Sequence, residues 1–221
     1  MRVAALREAR GERVAGYKLG CAGPAIQRQL GISEPVFGHL FEGELHRSGI
    51  SLDAACYDGL AIEGEFALRL KEDYREGAPA AAAAFAVIEL HQFVFRSPAG
   101  FTAEELVANN ALQAGVVLPV EEIPCGDISA WSEQMITVTR NGAELGTACC
   151  GVLAGGPPAS VAWLAGRLAS YGMSLRAGQI VLTGSPLPLF RVGPGDRVEV
   201  SCGHLPPVAL QLLTRGIERQ I

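Results

Sequence analysis

The sequence lacks the features that mark nucleic-acid-binding and membrane proteins. Its 221 residues carry 18 lysines and arginines against 23 aspartates and glutamates, a net charge of −5. They contain no basic run and no interleaving of basic with aromatic residues, so we expect no nucleic-acid partner. The longest apolar run, residues 78–90, contains Pro79 and the charged Glu89. It is too short to span a bilayer, so we expect no membrane partner either.

Signatures of zinc binding and export are also missing. The six cysteines form no C-x-x-C pair and show no zinc spacing. The first eleven residues contain three arginines but no apolar segment and no cleavage site of small residues. These absences predict a reduced, cytoplasmic protein.

What the sequence contains is typical of one well-packed globular domain, with 49% hydrophobic and 19% charged residues. The firmest local signal is a hairpin in which Asn141-Gly142 joins residues 134–140 to residues 143–149. Further strands are predicted at 13–20, 60–71, 85–91, 179–183 and 197–201, and helices at 24–30, 102–114 and 157–170. Residues 34–40 are predicted to form a loop that enters extended chain. Because strand and hairpin signals outnumber helical ones, we expect a mixed or mostly antiparallel sheet.

The predicted strand at residues 60–71 holds two carboxylates on one face. Side chains alternate along a strand, so Glu63 and Glu65 share a face, while Gly64 lies on the other with the larger apolar residues. By itself this pattern is typical of a half-exposed strand with a solvated charged face. Two carboxylates about 7 Å apart on one face are also able to close on a single cation.

Glu89 is the least expected acidic residue, because it lies inside the apolar segment 85–91. A carboxylate buried there costs several kcal/mol unless it is paired, protonated or bound to a metal. Alternation also places His91 on the same face as Glu89.

Two basic side chains are further candidates for chemistry. Lys18 lies in a strand between Gly16 and Gly20, where a lysine is either an ordinary surface residue or a functional charge. His39 lies in the predicted loop, where it is either a structural hydrogen-bonding group or an acid–base group. Glu42 and Glu44 follow His39 closely and are expected to hold its imidazole in the positive form.

Taken in order, these stretches resemble the 2-keto-4-pentenoate hydratase group of the fumarylacetoacetate hydrolase superfamily. The resemblance runs from Val14 almost to the C-terminus. It rests on the order and spacing of Gly16-Tyr17-Lys18-Leu19-Gly20, Glu34-Pro35, Phe37-Gly38, Glu63-Gly64-Glu65, Ile88-Glu89-Leu90, Asn110-Ala111, Ala114-Gly115, Val161-Ala162-Trp163-Leu164-Ala165, Leu182-Thr183-Gly184-Ser185 and Gly195-Asp196.

The resemblance implies a fold and an activity. The implied fold is α+β, a mixed and mostly antiparallel β-roll or sandwich with a few flanking helices. It forms a single catalytic domain over residues 1–221 with a shortened N-terminal segment. The implied activity is that of a hydro-lyase, the addition of water to a 2-hydroxy-2,4-dienoate to give a 4-hydroxy-2-oxo acid, as in aromatic catabolism. The implied partners are a small 2-oxo acid and further copies of the chain in a homo-oligomer.

The resemblance also implies a site. Mg²⁺ or Mn²⁺ is expected on Glu63, Glu65 and Glu89, with Lys18 acting on the substrate as a carboxylate-binding or proton-transfer group. Thr183 and Ser185 are expected to line the substrate pocket, and His39 is the remaining candidate acid–base residue.

Crowded carboxylates also lead to an expectation about stability. Three carboxylates about 5 Å apart repel one another by about 3 kcal/mol per pair at an effective dielectric constant of 20, and a divalent cation removes that repulsion. Replacing Glu89 with Gln is therefore expected to abolish tight metal binding while metal-free stability stays unchanged or rises.

Departures from the family pattern keep other reactions open. Val36 follows Glu34-Pro35 where the family commonly has an aspartate, and the segment Glu42-Gly43-Glu44 replaces its usual acidic pair. One alternative is a decarboxylase of a 2-oxo diacid. A second is an acylpyruvate hydrolase, for which His39 with Glu42 is the candidate base. A third is a non-catalytic family member kept as a partner subunit.

Overall fold

The computed structural model describes residues 2–77, 79–94, 100–125 and 127–214. The α-helices of this part of the chain are α1 (Arg2–Glu8), α2 (Pro24–Leu30), α3 (Ala103–Ala108) and α4 (Gly156–Ala169). The strands are β1 (Val14–Gly20), β2 (Val36–Phe41), β3 (Leu45–Arg47), β4 (Ile50–Leu52), β5 (Ala61–Leu70), β6 (Ala81–His91), β7 (Gln113–Leu118), β8 (Ile123–Pro124), β9 (Met135–Arg140), β10 (Ala143–Cys149), β11 (Ile180–Leu182), β12 (Phe190–Arg191), β13 (Arg197–Cys202) and β14 (Val208–Leu212). None of these helices combines the length and hydropathy needed to cross a membrane.

The strands form two mixed, mostly antiparallel sheets, as predicted. The larger sheet has the order β2-β1-β11-β5-β6-β7-β3, with β12 paired to β5 and β8 paired to β6. The smaller sheet has the order β10-β9-β13-β14-β4. Only the pairs β1–β11, β3–β7 and β4–β14 among the described strands are parallel.

The two faces of β5 are buried against different neighbours. On one face, Ile62 and Phe66 join the core between the two sheets, while Leu68 and Leu70 pack with buried residues of α4. On the other face, the larger sheet curls so that side chains of β2, β5, β6, β7 and β11 meet in one buried cluster. Its members are Leu40, Ala67, Ala83, Phe85, Val87, Val116, Ile180 and Leu182. The charged residues of β5 and β6 therefore belong to the inside of a β-roll.

Local sequence rules account for several elements well. Helix α2 begins at Pro24 and ends before Gly31, which adopts a left-handed conformation. The hairpin β9–β10 turns at Asn141 and Gly142, both with positive φ, as a type I′ turn requires. The predicted helix at 157–170 corresponds to α4, and Val161, Leu164 and Leu168 on its stripe are buried.

Two predicted elements differ from the structure. The helix that begins at the capping box of Thr102 ends at Ala108 rather than at Ala114. Asn110, Ala111 and Leu112 then have positive φ, which no α-helix allows, and β7 pairs with β6. The segment predicted as a loop entering extended chain at 34–40 is extended already from Val36, because residues 36–41 pair with β1. Long-range pairing sets the boundary of the element in both places.

Candidate metal and active site

The register of β5 and β6 gathers the acidic residues on the inside of the roll. Glu63 lies directly opposite Glu89, Glu65 opposite Val87, and His91 opposite Ala61. Because residues two apart on a strand share a face, these four polar side chains project from the same side of the β5–β6 pair.

This face is buried, so the half-exposed strand considered above is wrong for β5. Glu65 and Glu89 are 0% exposed and His91 is 3% exposed. Only the Glu63 side chain reaches solvent to an appreciable extent, with 19% of its surface exposed. Buried ionisable groups are rare unless they are compensated or bind a ligand, which makes this cluster the candidate functional site.

Three side chains of the cluster converge. Glu63, Glu89 and His91 each offer one ligand atom, and these atoms lie within 4.8 Å of one another. His91 Nε2 is 3.1 Å from Glu63 Oε2 and 3.4 Å from Glu89 Oε2. Even so, both ring nitrogens of His91 and both oxygens of Glu89 are buried without a hydrogen-bond partner among the described residues.

Glu65 completes the carboxylate group from a slightly different position. Its Oε2 accepts a hydrogen bond of 2.8 Å from the backbone N–H of Gly184, and its Oε1 is buried without a hydrogen-bond partner among the described residues. Burial, together with the negative charges of Glu89 and Glu63, raises the pKa of Glu65 well above its ordinary value.

Lys18 reaches the cluster from β1. Its Nζ lies 2.9 Å from Glu89 Oε1 and donates a 2.7 Å hydrogen bond to the carbonyl oxygen of Ala111. Gly38 makes room for its side chain, because a methyl group there would lie 3.0 Å from Lys18 Cε. A methyl group at Gly20 would lie at an ordinary contact distance of 3.6 Å from Nζ, so the space for Lys18 comes from the neighbouring strand rather than from Gly20.

The charges of the cluster compensate one another. Burial opposes the ammonium form of Lys18, but Glu89 and Glu63 more than offset it and raise its pKa. Burial likewise opposes the charged forms of Glu89 and His91. Lys18 and His91 nevertheless hold the pKa of Glu89 below its ordinary value, and Glu89 raises that of His91 to about 9. The expectation that Glu89→Gln would spare metal-free stability rested on uncompensated repulsion, and the structure contradicts that premise.

The donor set fits a hard or borderline divalent cation. Three carboxylates face two cationic side chains, and five buried oxygen and nitrogen atoms of Glu65, Glu89 and His91 have no hydrogen-bond partner among the described residues. Carboxylate oxygens suit Mg²⁺ and Mn²⁺, and imidazole nitrogen suits transition metals. Of the predicted ligands, Glu63 and Glu89 converge together with His91, while Glu65 lies on the same strand face outside that group of three. The joint binding of a metal by Glu63, Glu65 and Glu89 stays a prediction.

The turn after β11 meets the cluster through its backbone. The Thr183 hydroxyl donates to the carbonyl oxygen of Phe66 at 2.8 Å. The Ser185 hydroxyl donates to the carbonyl oxygen of Leu187 at 2.9 Å. Both hydroxyls thus donate hydrogen bonds to backbone carbonyls, and the contact with Glu65 comes from the backbone N–H of Gly184. The substrate-binding role of Thr183 and Ser185 stays a prediction.

His39 lies on the other face of the sheet. It is paired with Tyr17 across β1 and β2, whereas Lys18 is paired with Gly38, so alternation turns His39 away from Lys18. Its ring packs among Tyr17, Phe37 and Phe41 and borders a separate cavity of about 640 Å³.

The expectation of a positive imidazole at His39 is wrong. Glu42 and Glu44 pair with Arg13 and Arg7 instead, and burial lowers the pKa of His39 to about 4. Among the described residues, His39 makes no contact with the carboxylate cluster, and its acid–base role stays a prediction.

Sequence reasoning missed part of the site. It placed His91 on the face of Glu89 but did not count His91 among the site residues, although the spacing of the two residues was the signal. It also missed Gln113, which is paired with His91 across β6 and β7 and whose side-chain amide is buried without a hydrogen-bond partner among the described residues. No local pattern indicated that the carbonyl oxygen of Ala111 would meet Lys18.

Comparison with known proteins places this geometry in context. The family model described as the fumarylacetoacetate hydrolase C-terminal region matches residues 45–212. A 2-keto-4-pentenoate hydratase of Paraburkholderia phymatum is 36% identical over 198 residues, which cover 85% of this chain and 73% of the relative. A 2-hydroxyhexa-2,4-dienoate hydratase of Comamonas testosteroni is 32% identical over 209 residues, which cover 88% of this chain and 76% of the relative.

Solved structures with this fold include several with bound metal. 4-Oxalocrotonate decarboxylase from Pseudomonas putida G7, complexed with magnesium and adipate, superposes with a TM-score of 0.88 at 22% identity. The match covers 96% of this chain and 82% of that one. Fumarylpyruvate hydrolase from Pseudomonas aeruginosa, in complex with Mn²⁺ and pyruvate, superposes with a TM-score of 0.66 at 13% identity. The match covers 90% of this chain and 89% of that one. At these identities the likeness establishes the fold.

Proposed function

Because the chain belongs to the fumarylacetoacetate hydrolase family, we propose that it is a metal-dependent hydro-lyase that adds water to a 2-hydroxy-2,4-dienoate and releases a 4-hydroxy-2-oxo acid. Two hydratases of such dienoates are more than 30% identical to it over most of its length. The observation that carries the proposal is the buried cluster of Glu63, Glu65 and Glu89 with Lys18 at its edge.

Glu63, Glu65 and Glu89 would hold Mg²⁺ or Mn²⁺. When bound, the cation supplies Lewis acidity toward the oxygens of a 2-oxo acid and stabilises enolate charge. The three carboxylates would position the cation. Glu63 marks the exposed side of the cluster, while Glu89 and Glu65 lie fully buried behind it. The backbone N–H of Gly184 fixes the orientation of Glu65.

Lys18 is the residue that would act on the substrate. An ammonium group has three N–H donors. One donates to the Ala111 carbonyl, and Nζ forms an ion pair with Glu89 Oε1 at 2.9 Å. A remaining N–H is available to a substrate carboxylate or for proton transfer to the diene. Because the anionic neighbours keep Lys18 charged, it meets the substrate as a cation and acid rather than as a base.

The positions of His39, Glu42 and Val36 also bear on the two alternative reactions, acylpyruvate hydrolysis and 2-oxo diacid decarboxylation. An acylpyruvate hydrolase needs a base to activate water, but His39 faces away from Lys18 and Glu42 pairs with Arg13. Val36 is paired with Gly20, on the Lys18 side of β2, and adds only an apolar group there. Decarboxylation of a 2-oxo diacid requires no such base, so it is the second candidate reaction on this site.

An assay of products separates these reactions. The metal-loaded protein is supplied in turn with 2-hydroxypenta-2,4-dienoate, a 2-oxo diacid and an acylpyruvate. Loss of dienol absorbance, release of CO₂ and cleavage of the carbon–carbon bond are measured respectively. We expect hydration to be the fastest. Faster CO₂ release would establish the decarboxylase instead, and metal binding without turnover of any of the three would indicate a non-catalytic family member.

Two further features of the protein are part of the proposal. A cytoplasmic location is supported by its six free cysteines. A homo-oligomeric state follows from the family resemblance alone, and light scattering on the purified protein measures it directly.

A further inference from the structure

We propose that His91 is a nitrogen ligand of the divalent cation at this site and that it biases the site toward Mn²⁺ or Fe²⁺ over Mg²⁺. This proposal rests on the proposed function, because it assumes that the site binds a divalent cation. It adds one ligand, His91, and specifies which class of cation the site prefers. It does not depend on which 2-oxo acid the protein converts.

The distances are those of neighbouring ligands around one ion. Ligands about 2.1 Å from an ion and at right angles to one another are about 3 Å apart. His91 Nε2 is 3.1 Å from Glu63 Oε2 and 3.4 Å from Glu89 Oε2. Ligand atoms of these three residues all lie within 4.8 Å of one another, so one cation can contact all three with only small side-chain adjustments.

The hydrogen bonding of His91 points the same way. An imidazolium that served only as a counter-ion would direct an N–H at a carboxylate. His91 Nε2 lies at ion-pair distance from Glu63 and Glu89, yet neither ring nitrogen is in a hydrogen bond within the described part of the chain, although the side chain is only 3% exposed. Buried polar atoms are almost always satisfied, so unsatisfied ones indicate a ligand or an unrecorded partner. Here they lie beside two unsatisfied oxygens of Glu89.

The second ring nitrogen has a neighbour that suits a metal-bound histidine. A ligating histidine usually donates its other N–H to a nearby acceptor. Gln113 is paired with His91 across β6 and β7. Its side-chain amide is buried, with neither polar atom bonded to any described residue. The pairing makes the Gln113 amide a candidate acceptor for the second ring N–H.

A nitrogen ligand changes the choice of metal. Mg²⁺ prefers oxygen ligands, whereas imidazole raises the affinity for first-row transition metals in the Irving–Williams order. A site built only of carboxylates would discriminate weakly between Mg²⁺ and Mn²⁺. A site that includes His91 gains affinity chiefly for Mn²⁺ and Fe²⁺.

Pulsed electron paramagnetic resonance of the Mn²⁺-loaded protein tests the ligand directly, because a coordinated imidazole nitrogen modulates the electron spin echo. We expect nitrogen modulation in the wild-type protein and in His204→Gln, which alters an exposed histidine outside the site. We expect it to be lost in His91→Gln. Absence of nitrogen modulation in the wild type, or its persistence in His91→Gln, would overturn the proposal.

Calorimetric titration of the metal-free proteins tests the preference. His91→Gln should weaken Mn²⁺ binding at least about tenfold and Mg²⁺ binding much less, so that the ratio of the two affinities falls. An equal loss for both metals, or no loss, would contradict the proposal.

Two safeguards keep these tests decisive. If His91→Gln does not fold, as judged by circular dichroism, ¹⁵N-histidine labelling of the wild type replaces it. The label must then change the echo modulation. None of these readouts requires turnover, so nitrogen ligation without hydratase activity would refute only the proposed reaction.

Discussion

Lys18 is one of only two lysines in the chain, and the two have opposite surroundings. Lys18 is 2% exposed and lies against Glu89, whereas Lys71 lies on the surface after β5. Burying an ammonium group is costly unless anions and hydrogen-bond acceptors surround it. The contacts with Glu89 and the Ala111 carbonyl meet that requirement.

We predict that Lys18→Met lowers kcat/KM on a 2-hydroxy-dienoate at least about a hundredfold, the usual scale for losing a positioned acid–base group. The change keeps most of the side-chain stem and removes the charge. Lys71→Met, the matched control, should retain wild-type kinetics. Steady-state assays at saturating metal measure both. A Lys18→Met enzyme within a few-fold of wild type would make Lys18 a structural residue only.

The pairing of Lys18 with Glu89 leads to a stability prediction in the absence of metal. Glu89→Gln should lose tight metal binding and also lose about 3 kcal/mol of unfolding free energy, because it leaves Lys18 buried without its nearest anion. The double variant Lys18→Met/Glu89→Gln should recover part of that loss. Urea denaturation of the metal-free proteins measures this. Additive losses in the double variant would show that the two residues act independently.

His39 predicts a dependence of stability on pH. Its pKa falls from 6.5 to about 4 on folding, with burial as the main cause and the Arg7 charge also contributing. The unfolded chain therefore binds more protons between these values, and stability should fall as pH drops from about 6.5 to about 4. The variant His39→Phe, which suits the aromatic surroundings of Tyr17, Phe37 and Phe41, should show a shallower fall. Thermal melts across this range check it, and an unchanged slope would contradict the assignment.

At the scale of elements, the segment between α3 and β7 determines how Lys18 is held. Asn110, Ala111 and Leu112 all have positive φ, a conformation that Asn tolerates better than most residues. The Asn110 side chain accepts from the N–H of His39 at 2.7 Å and donates to the carbonyl oxygen of His39 at 2.8 Å. These bonds tie the segment to β2 and keep the Ala111 carbonyl within reach of Lys18.

We predict that Asn110→Ala lowers the free energy of unfolding by about 1–3 kcal/mol, because two backbone groups lose their partner. Turnover should fall with it, while metal affinity stays close to wild type, since no carboxylate is touched. Asn109→Ala removes the neighbouring amide, which has conventional φ, and is the control. Urea denaturation and metal titration measure the two effects. Equal losses of unfolding free energy in both variants would mean that the hydrogen bonds between Asn110 and His39 do not account for the effect.

At the scale of the whole molecule, the smaller sheet packs directly behind the carboxylates. Gly64 separates Glu63 from Glu65 and faces the other way, into the core between the sheets. A methyl group there would lie 2.6 Å from Val138 Cγ2 and 3.2 Å from both methyl carbons of Val200. The absence of a side chain at Gly64 therefore lets the second sheet approach β5 at the point from which both carboxylates project.

Gly64→Ala should accordingly destabilise the protein by about 1–3 kcal/mol through overpacking, and metal affinity should fall as β5 shifts. Gly166→Ala is the control, because Gly166 lies in α4 and a methyl group there has no neighbour within 4 Å. That change should leave the melting temperature unchanged or raise it. Scanning calorimetry measures the melting temperature of both variants. A Gly64→Ala protein as stable as wild type would exclude tight packing between β5 and the smaller sheet at this point.

The sequence by itself determined whatever depends on neighbours within a few residues. Period-two alternation put Glu63 with Glu65 and Glu89 with His91. The Asn141-Gly142 turn and the glycine after α2 followed from backbone conformations that few other residues adopt. The resemblance to a family, carried by ordered short motifs, then indicated the fold and the kind of site.

Only the tertiary structure decided which faces meet. The register between β5 and β6 set Glu63 opposite Glu89, and the register between β1 and β2 turned His39 away from Lys18. Pairing of residues 113–118 with β6 ended the predicted helix early. The physical reason is the same in each case. A strand shifted by one residue reverses every side chain, and the free energy that sets the register comes from partners distant in sequence.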